Sequence, residues 1–261
     1  MPQKLFEDKI GLLSHSAGSI TLAASRLTIG GQQYVTTSLT RAIATDLTMT
    51  ANTLYMIYAV LNSGVVELRF SANVNSSGPA GFTAWKLVGA FYSNATPAFG
   101  AFVNIDGIPM SGEIAYSPSL QSSGGGNITL NATGVISPYG YWQRIGNQLK
   151  MYAGFRNGTG GTATGAAGGI MLGLPSGIVG TSNRASDGNF GTFVASGGGY
   201  KGGPGADTHD WYFVSNGTTL TPIRPLSGSV LAVADLVAQY SLNVDTTFGI
   251  AAWSNTPLKD L

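Results

Sequence analysis

Residues 54–74 read LYMIYAVLNSGVVELRFSANV. Two β-rich runs flank Asn62-Ser63-Gly64, the composition of a short hairpin turn. In the second run Val66, Leu68 and Phe70 alternate with Glu67 and Arg69, the period of a strand with one buried face. The same texture extends in both directions. Upstream, SITLAASRLTI (19–29) breaks at Gly30-Gly31 and resumes as QQYVTTSL (32–39), and RAIATDLTMT (41–50) follows. Downstream lie FTAWKLVGAFYSN (82–94) and AFGAFVNI (98–105). Several short strands with turn signals between them predict an all-β sandwich or barrel over residues 18–106.

Residues 107–126 carry Pro109 and Pro118 and end in a Ser/Gly-rich stretch, which predicts a linker. The strand pattern returns over residues 127–261. GVISPYGYWQRIGNQLKMYAGFRN (134–157) is two runs about Gly146-Asn147, GIMLGLPSGI (169–178) a short strand closed by a turn, and WYFVSNGTTLTPI (211–223) another hairpin. Residues 230–240 suit a helical turn or a strand equally, and YSLNVDTTFGIAAW (240–253) alternates as a closing strand. The Gly-rich stretches 157–169 and 195–207 read as loops. The two halves share no sequence repeat, so the expected fold class is all-β with two different β-sandwich domains.

Residues 1–17 have a different character. Lys4, Glu7, Asp8 and Lys9 are interspersed with Leu5, Phe6, Ile10, Leu12 and Leu13. Such a stretch reads either as a frayed terminus or, because an exposed apolar stripe needs something to bury it, as an N-terminal docking arm that anchors the chain on a neighbouring subunit.

Of 261 residues, 10% are charged and 38 are glycine, with a net charge of +1. Soluble domains carry roughly 25% charged residues. A polar but nearly uncharged surface suits a protein that packs against copies of itself. Nucleic-acid affinity needs clustered cations, and no run of Lys or Arg occurs, so nucleic acid is not an expected partner. Cysteine is absent, which removes disulfides, thiolate metal sites and cysteine nucleophiles together. The charged opening has no apolar core of an export signal, and the longest apolar run, 54–61, is far short of a membrane span. Synthesis in a cytoplasm and no membrane insertion are the expectations.

Residues suited to catalysis are sparse. His15 and His209 are the two histidines. Asp207, His209 and Asp210 could serve a hydrolytic triad or bind an ion, but no Gly-x-Ser-x-Gly elbow accompanies them. Asp46 with Glu67 is one conceivable carboxylate pair of the glycosidase kind, and no pair is specifically signalled. GGGYKGGPG (197–205) lacks the Lys-Ser/Thr and following helix of a phosphate loop. Neither a catalytic residue nor a cofactor or metal is therefore expected. Asn-x-Ser/Thr occurs at Asn75, Asn94, Asn127, Asn131, Asn157 and Asn216, which without an export signal implies no glycosylation. Tyr139, Tyr141, Tyr200, Trp211 and Tyr212 are candidates for stacking on sugars, although packing is the commoner fate of such residues. Tyr200, Lys201, Asp207 and His209 mark the loops expected to face a receptor.

Residues 53–94 (TLYMIYAVLNSGVVELRFSANVNSSGPAGFTAWKLVGAFYSN) resemble a segment of structural proteins of tailed bacteriophages, tail fibres included. The likeness covers about residues 20–106. The second half resembles the jelly-roll heads of phage fibres that share a topology with complement and tumour-necrosis-factor domains. It does so through Tyr141–Asn147, the Leu174–Gly177 turn, and the late Ala234-Asp235-Leu236 before a closing strand. The resemblance implies two β-sandwich/jelly-roll domains in a homotrimer on the virion. The trimer would be a short tail fibre or receptor-binding protein with a host surface glycan as a further partner, or a capsid decoration protein. The N-terminal arm would hold another virion protein of the tail, baseplate or capsid. No catalytic residues come with the likeness. The chain lacks the heptads or β-helical repeats of a long fibre shaft, which implies a short appendage. A polysaccharide depolymerase and a secreted lectin are the weaker readings.

Overall fold

The computed structural model describes residues 7–72, 78–180, 193–201, 208–215, 217–223, 230–250 and 252–260, with backbone alone at 193–201, 208–214 and 223. The chain is all-β and forms two compact units, one from residues 1–112 with 255–261 and one from 113–254.

The first unit contains β1 (Leu13–Ser16), β2 (Ser19–Leu22), β3 (Ser25–Ile29), β4 (Gln32–Thr36), β5 (Leu39–Ala42), β6 (Leu54–Asn62), β7 (Val65–Ser71), β8 (Trp85–Ser93) and β9 (Phe99–Val103). They form antiparallel sheets β1-β2-β5, β3-β4 and β7-β6-β8-β9. The predicted hairpins are present. Ser63-Gly64 and Gly30-Gly31 turn the chain with positive φ at both residues, as a type I′ hairpin turn requires. Alternation along β2, β3 and β7 places Ile20, Leu22, Leu27, Ile29, Leu68 and Phe70, together with Tyr55 and Ile57 of β6, which is buried on both faces, in one core shared by all three sheets. Each such side chain contributes about 1.5–3 kcal/mol by leaving water.

Residues 8–16 belong to this unit, which corrects the expectation of an arm standing apart. Lys9 and Arg26 exchange backbone hydrogen bonds at 2.8 and 2.9 Å, and β1 pairs with β2. Asp8 accepts from the Thr28 amide at 2.6 Å and meets Lys86 at 2.7 Å. Ile10 and Leu13 pack against the core. Gly11 makes this possible, because a Cβ there would stand 2.5 Å from the Ala23 carbonyl oxygen. Leu12, on the opposite face, is 87% exposed. Leu5 and Phe6 lie outside the described residues.

The second unit is a nine-stranded antiparallel sheet in the order β10-β12-β13-β18-β15-β16-β17-β14-β11. The strands are β10 (Ile114–Tyr116), β11 (Leu120–Ser122), β12 (Ile136–Ile145), β13 (Gln148–Arg156), β14 (Ile170–Gly173), β15 (Phe193–Lys201), β16 (Thr208–Ser215), β17 (Thr219–Ile223) and β18 (Tyr240–Gly249). Its outermost strands, β10 and β11, are consecutive in the chain and joined only by Ser117, Pro118 and Ser119. A flat nine-stranded sheet would hold its edges roughly 38 Å apart. The link from Tyr116 to Leu120 spans at most about 15 Å. The sheet is therefore rolled so that its ends come together, and the inner side holds Trp142, Leu149, Met151, Phe155, Leu172, Leu220, Leu242 and Val244.

The expected linker is corrected too. Of residues 107–126, the segments 114–116 and 120–122 are strands of the second unit, and the long N-terminal segment of the first unit runs to Gly112. The ambiguous stretch 230–240 contains a short 3₁₀ turn over Val233–Asp235.

Candidate functional site

The solvent side of β12, β13 and β18 carries the most distinctive surface. Strict alternation turns Trp142, Leu149, Met151, Val244 and Phe248 inward, so Tyr139, Tyr141, Gln143, Lys150, Tyr152, Asn243 and Asp245 fall on the outer side. Register then places them in rows. Tyr141, Tyr152 and Asp245 are consecutive cross-strand partners, as are Tyr139, Gly154 and Asn243, and Gln143 and Lys150. On β15, Ser196 is paired with Asp245 and Gly198 with Asn243.

Tyr141 is 49% exposed and Tyr152 38%, high values for large aromatic residues on a sheet. The Tyr139 and Tyr152 rings lie 5.9 Å apart, with their hydroxyls hydrogen-bonded at 3.2 Å. The Tyr139 hydroxyl also donates to Asn243 Oδ1 at 3.4 Å, two strands away. Strands sit about 4.8 Å apart, so the Tyr139 ring must lie along the sheet and across Gly154 to reach that far. A Cβ on Gly154 would stand 2.2 Å from Asn243 Oδ1 and 3.2 Å from the Tyr139 hydroxyl. Glycine is what lets the row form. The Tyr152 hydrogen bond, then burial and the charge of the neighbouring phenol, push the Tyr139 phenol up to about 12.

Beside these rings is an open hollow of about 170 Å³, lined by Glu113, Tyr141, Gln143, Lys150, Tyr152 and Asp245 over a floor of Trp142 and Met151. Two acids, one cation, an amide and two phenols converge there. The arrangement offers ring faces for stacking and charged groups for hydrogen bonding, with charges of both signs.

Other groups serve structure. Arg144, 3% exposed, donates to the carbonyls of Gly146 and Ser254 and lies 5.1 Å from the centre of the Trp253 ring. Trp253 in turn stacks on Trp142 at 6.0 Å. Asn157 is fully buried and donates to the carbonyls of Gly161, Leu236 and Val237, which removes it from the glycosylation triplets of the sequence. In the first unit the Asp46 and Glu67 carboxylates face Arg41 and Arg69 rather than each other across a cleft.

The residues expected on receptor-facing loops are placed differently. Tyr200 and Lys201 are in β15 and His209 in β16, so those stretches are strands, with Gly199 paired to His209 and Tyr200 to Thr208. Asp207 lies outside the described residues. Among the described residues no group of three or more His, Asp or Glu stands together as a metal site. Of the candidate stacking aromatics, Tyr139 and Tyr141 fall in the site, while Trp211 and Tyr212 are in β16. Sequence reasoning missed Lys150, Tyr152, Asn243 and Asp245. The signal was present as the alternations Lys150-x-Tyr152-x-Gly154 and Asn243-x-Asp245-x-Thr247, but nothing local says that these strands adjoin.

Comparison with protein-family models, with curated proteins and with solved structures finds no match to this chain.

Proposed function

We propose that this chain is a non-enzymatic structural protein of a tailed-bacteriophage particle. In this reading it forms a homotrimeric surface appendage, a short tail fibre or receptor-binding protein. The observation that carries the proposal is the exposed row of Tyr141 and Tyr152 beside Tyr139, set in a chain with few charges and a net charge of +1. A surface of phenols and amides favours contact with another molecule, and repetition over the copies of an oligomer turns weak contacts into avidity. The first unit exposes Leu12, Val35 and Val65, apolar side chains suited to burial against another particle protein. Attachment through that unit leaves the second for recognition.

Cryo-electron microscopy of intact particles tests the proposal. Three-fold density for the chain at the tail is the expected result. Density on the capsid would make it a decoration protein, and its absence from particles would overturn the virion assignment.

A further inference from the structure

We infer that the hollow beside Tyr141 and Tyr152 is a binding site for one uncharged pyranose ring of a glycan, which stacks on the Tyr152 ring and hydrogen-bonds to Lys150, Asp245 and Glu113. The inference deepens the attachment reading and rests on it for the source of the sugar, a host surface.

Size is the first argument. At about 170 Å³ the hollow is smaller than the roughly 300–1,000 Å³ of drug-sized pockets, which suits a single ring with the rest of a chain leaving through the open side. Chemistry is the second. One face of a pyranose is a patch of C–H groups that packs on an aromatic ring, and its rim is a circle of hydroxyls that both donate and accept. Here the rings and the carboxylates, ammonium and amide occupy one hollow, and the carboxylates outnumber the ammonium, which disfavours acidic sugars.

The third argument is preorganisation. Tyr152 is held by the Tyr139 hydroxyl, which is itself tied to Asn243 across the bare backbone of Gly154. A stacking ring already fixed in place loses less freedom on binding. Tyr139, Gly154 and Asn243 are thus positioning residues, and Tyr152 is the contact. A protein partner fits less well, because docking a dry surface here would strip water from Glu113, Lys150 and Asp245. Sugar hydroxyls satisfy those groups while leaving them wet.

The test uses saturation-transfer NMR on the full chain with the methyl pyranosides of glucose, galactose, mannose and N-acetylglucosamine. The expected result is transfer to at least one of them, strongest at the ring C–H protons. Tyr152→Ala should weaken binding about tenfold, the loss of one stacked ring. Gly154→Ala should weaken it as well, with melting temperature and oligomer mass serving as controls for the fold. Tyr141→Ala, at the more exposed ring, provides a second contact variant with less risk to folding. No transfer to any of these sugars, or transfer unchanged in both contact variants, overturns the site. So does a fall in oligomer mass on Tyr152→Ala without any sugar signal, which would make the face a contact between copies. A chain found on particles that binds none of the sugars would sink this site and leave the attachment proposal standing.

Discussion

The Asp46 carboxylate meets the Arg69 guanidinium at 2.9 Å, joining residues 23 apart in the chain. The same carboxylate accepts from Arg41 at 2.6 and 2.7 Å and from the Phe70 amide at 3.1 Å, so one acid ties the segment after β5 to β7. Its side chain is 8% exposed, against 28% for Glu67. Asp46→Ala should cost about 3 kcal/mol, at the lower end for a broken buried pair because both arginines retain some water. Glu67→Ala should cost under about 1 kcal/mol. Chemical denaturation of the two variants checks the contrast, and equal losses would contradict it.

Leu13 fills the space above Gly89, where a Cβ would stand 2.2 Å from the leucine Cδ1. Leu13→Ala should therefore destabilise the first unit by about 2 kcal/mol, or lower its melting temperature by roughly 8 °C. Deleting residues 7–16 should do more, since it also removes the β1–β2 pairing. An unchanged melting temperature after that deletion would restore the free arm inferred from sequence.

His15 stacks on Phe99 with ring centres 4.1 Å apart, and burial lowers its imidazole below the usual 6.5. A depressed histidine stabilises the fold fully above the unfolded value, and the contribution is lost as pH falls through 6.5 toward the lower folded value. The first unit should melt earlier at about pH 5.5 than at about pH 7.5, and His15→Phe should flatten that difference. Melting curves of both proteins across this range decide it. A slope that persists in the variant would assign it to another group.

The raised Tyr139 phenol gives an optical prediction. Its phenolate absorbance should appear near pH 12 rather than near 10, and Tyr152→Phe should move it back down. A folded value above the unfolded one stabilises the protein below the unfolded value and is lost as pH rises through the folded one. The stabilisation is therefore present up to about pH 10 and disappears through about pH 12. A titration curve that Tyr152→Phe leaves unchanged at high pH would show that the Tyr139–Tyr152 bond does not persist in solution.

What could be read from the sequence was local. The turns at Gly30-Gly31, Ser63-Gly64 and Gly146-Asn147 were legible because each joins adjacent strands and a two-residue hairpin demands residues tolerant of positive φ. The stretch from Gly197 to Lys201 misled, since glycine usually weakens a strand. Here β15 pairs on both sides, with β16 and β18, and that pairing overrides propensity. Residues 107–126 misled for a related reason, because proline and serine also suit very short edge strands. The site was only half legible. Tyr139 and Asn243 are 104 residues apart, and their meeting depends on a strand order that alternation does not encode.

The rolled sheet of the second unit also bears on self-association. Its two edge strands, β10 and β11, are three residues each, and the link between them holds Pro118, which has no amide proton to donate. A long flat edge would template the next copy by strand addition, and a protein made in many copies would then grow into fibrils. Short edges turned toward one another give such growth almost nothing to extend. Contacts made through side chains, unlike strand addition, can close into a ring of fixed number.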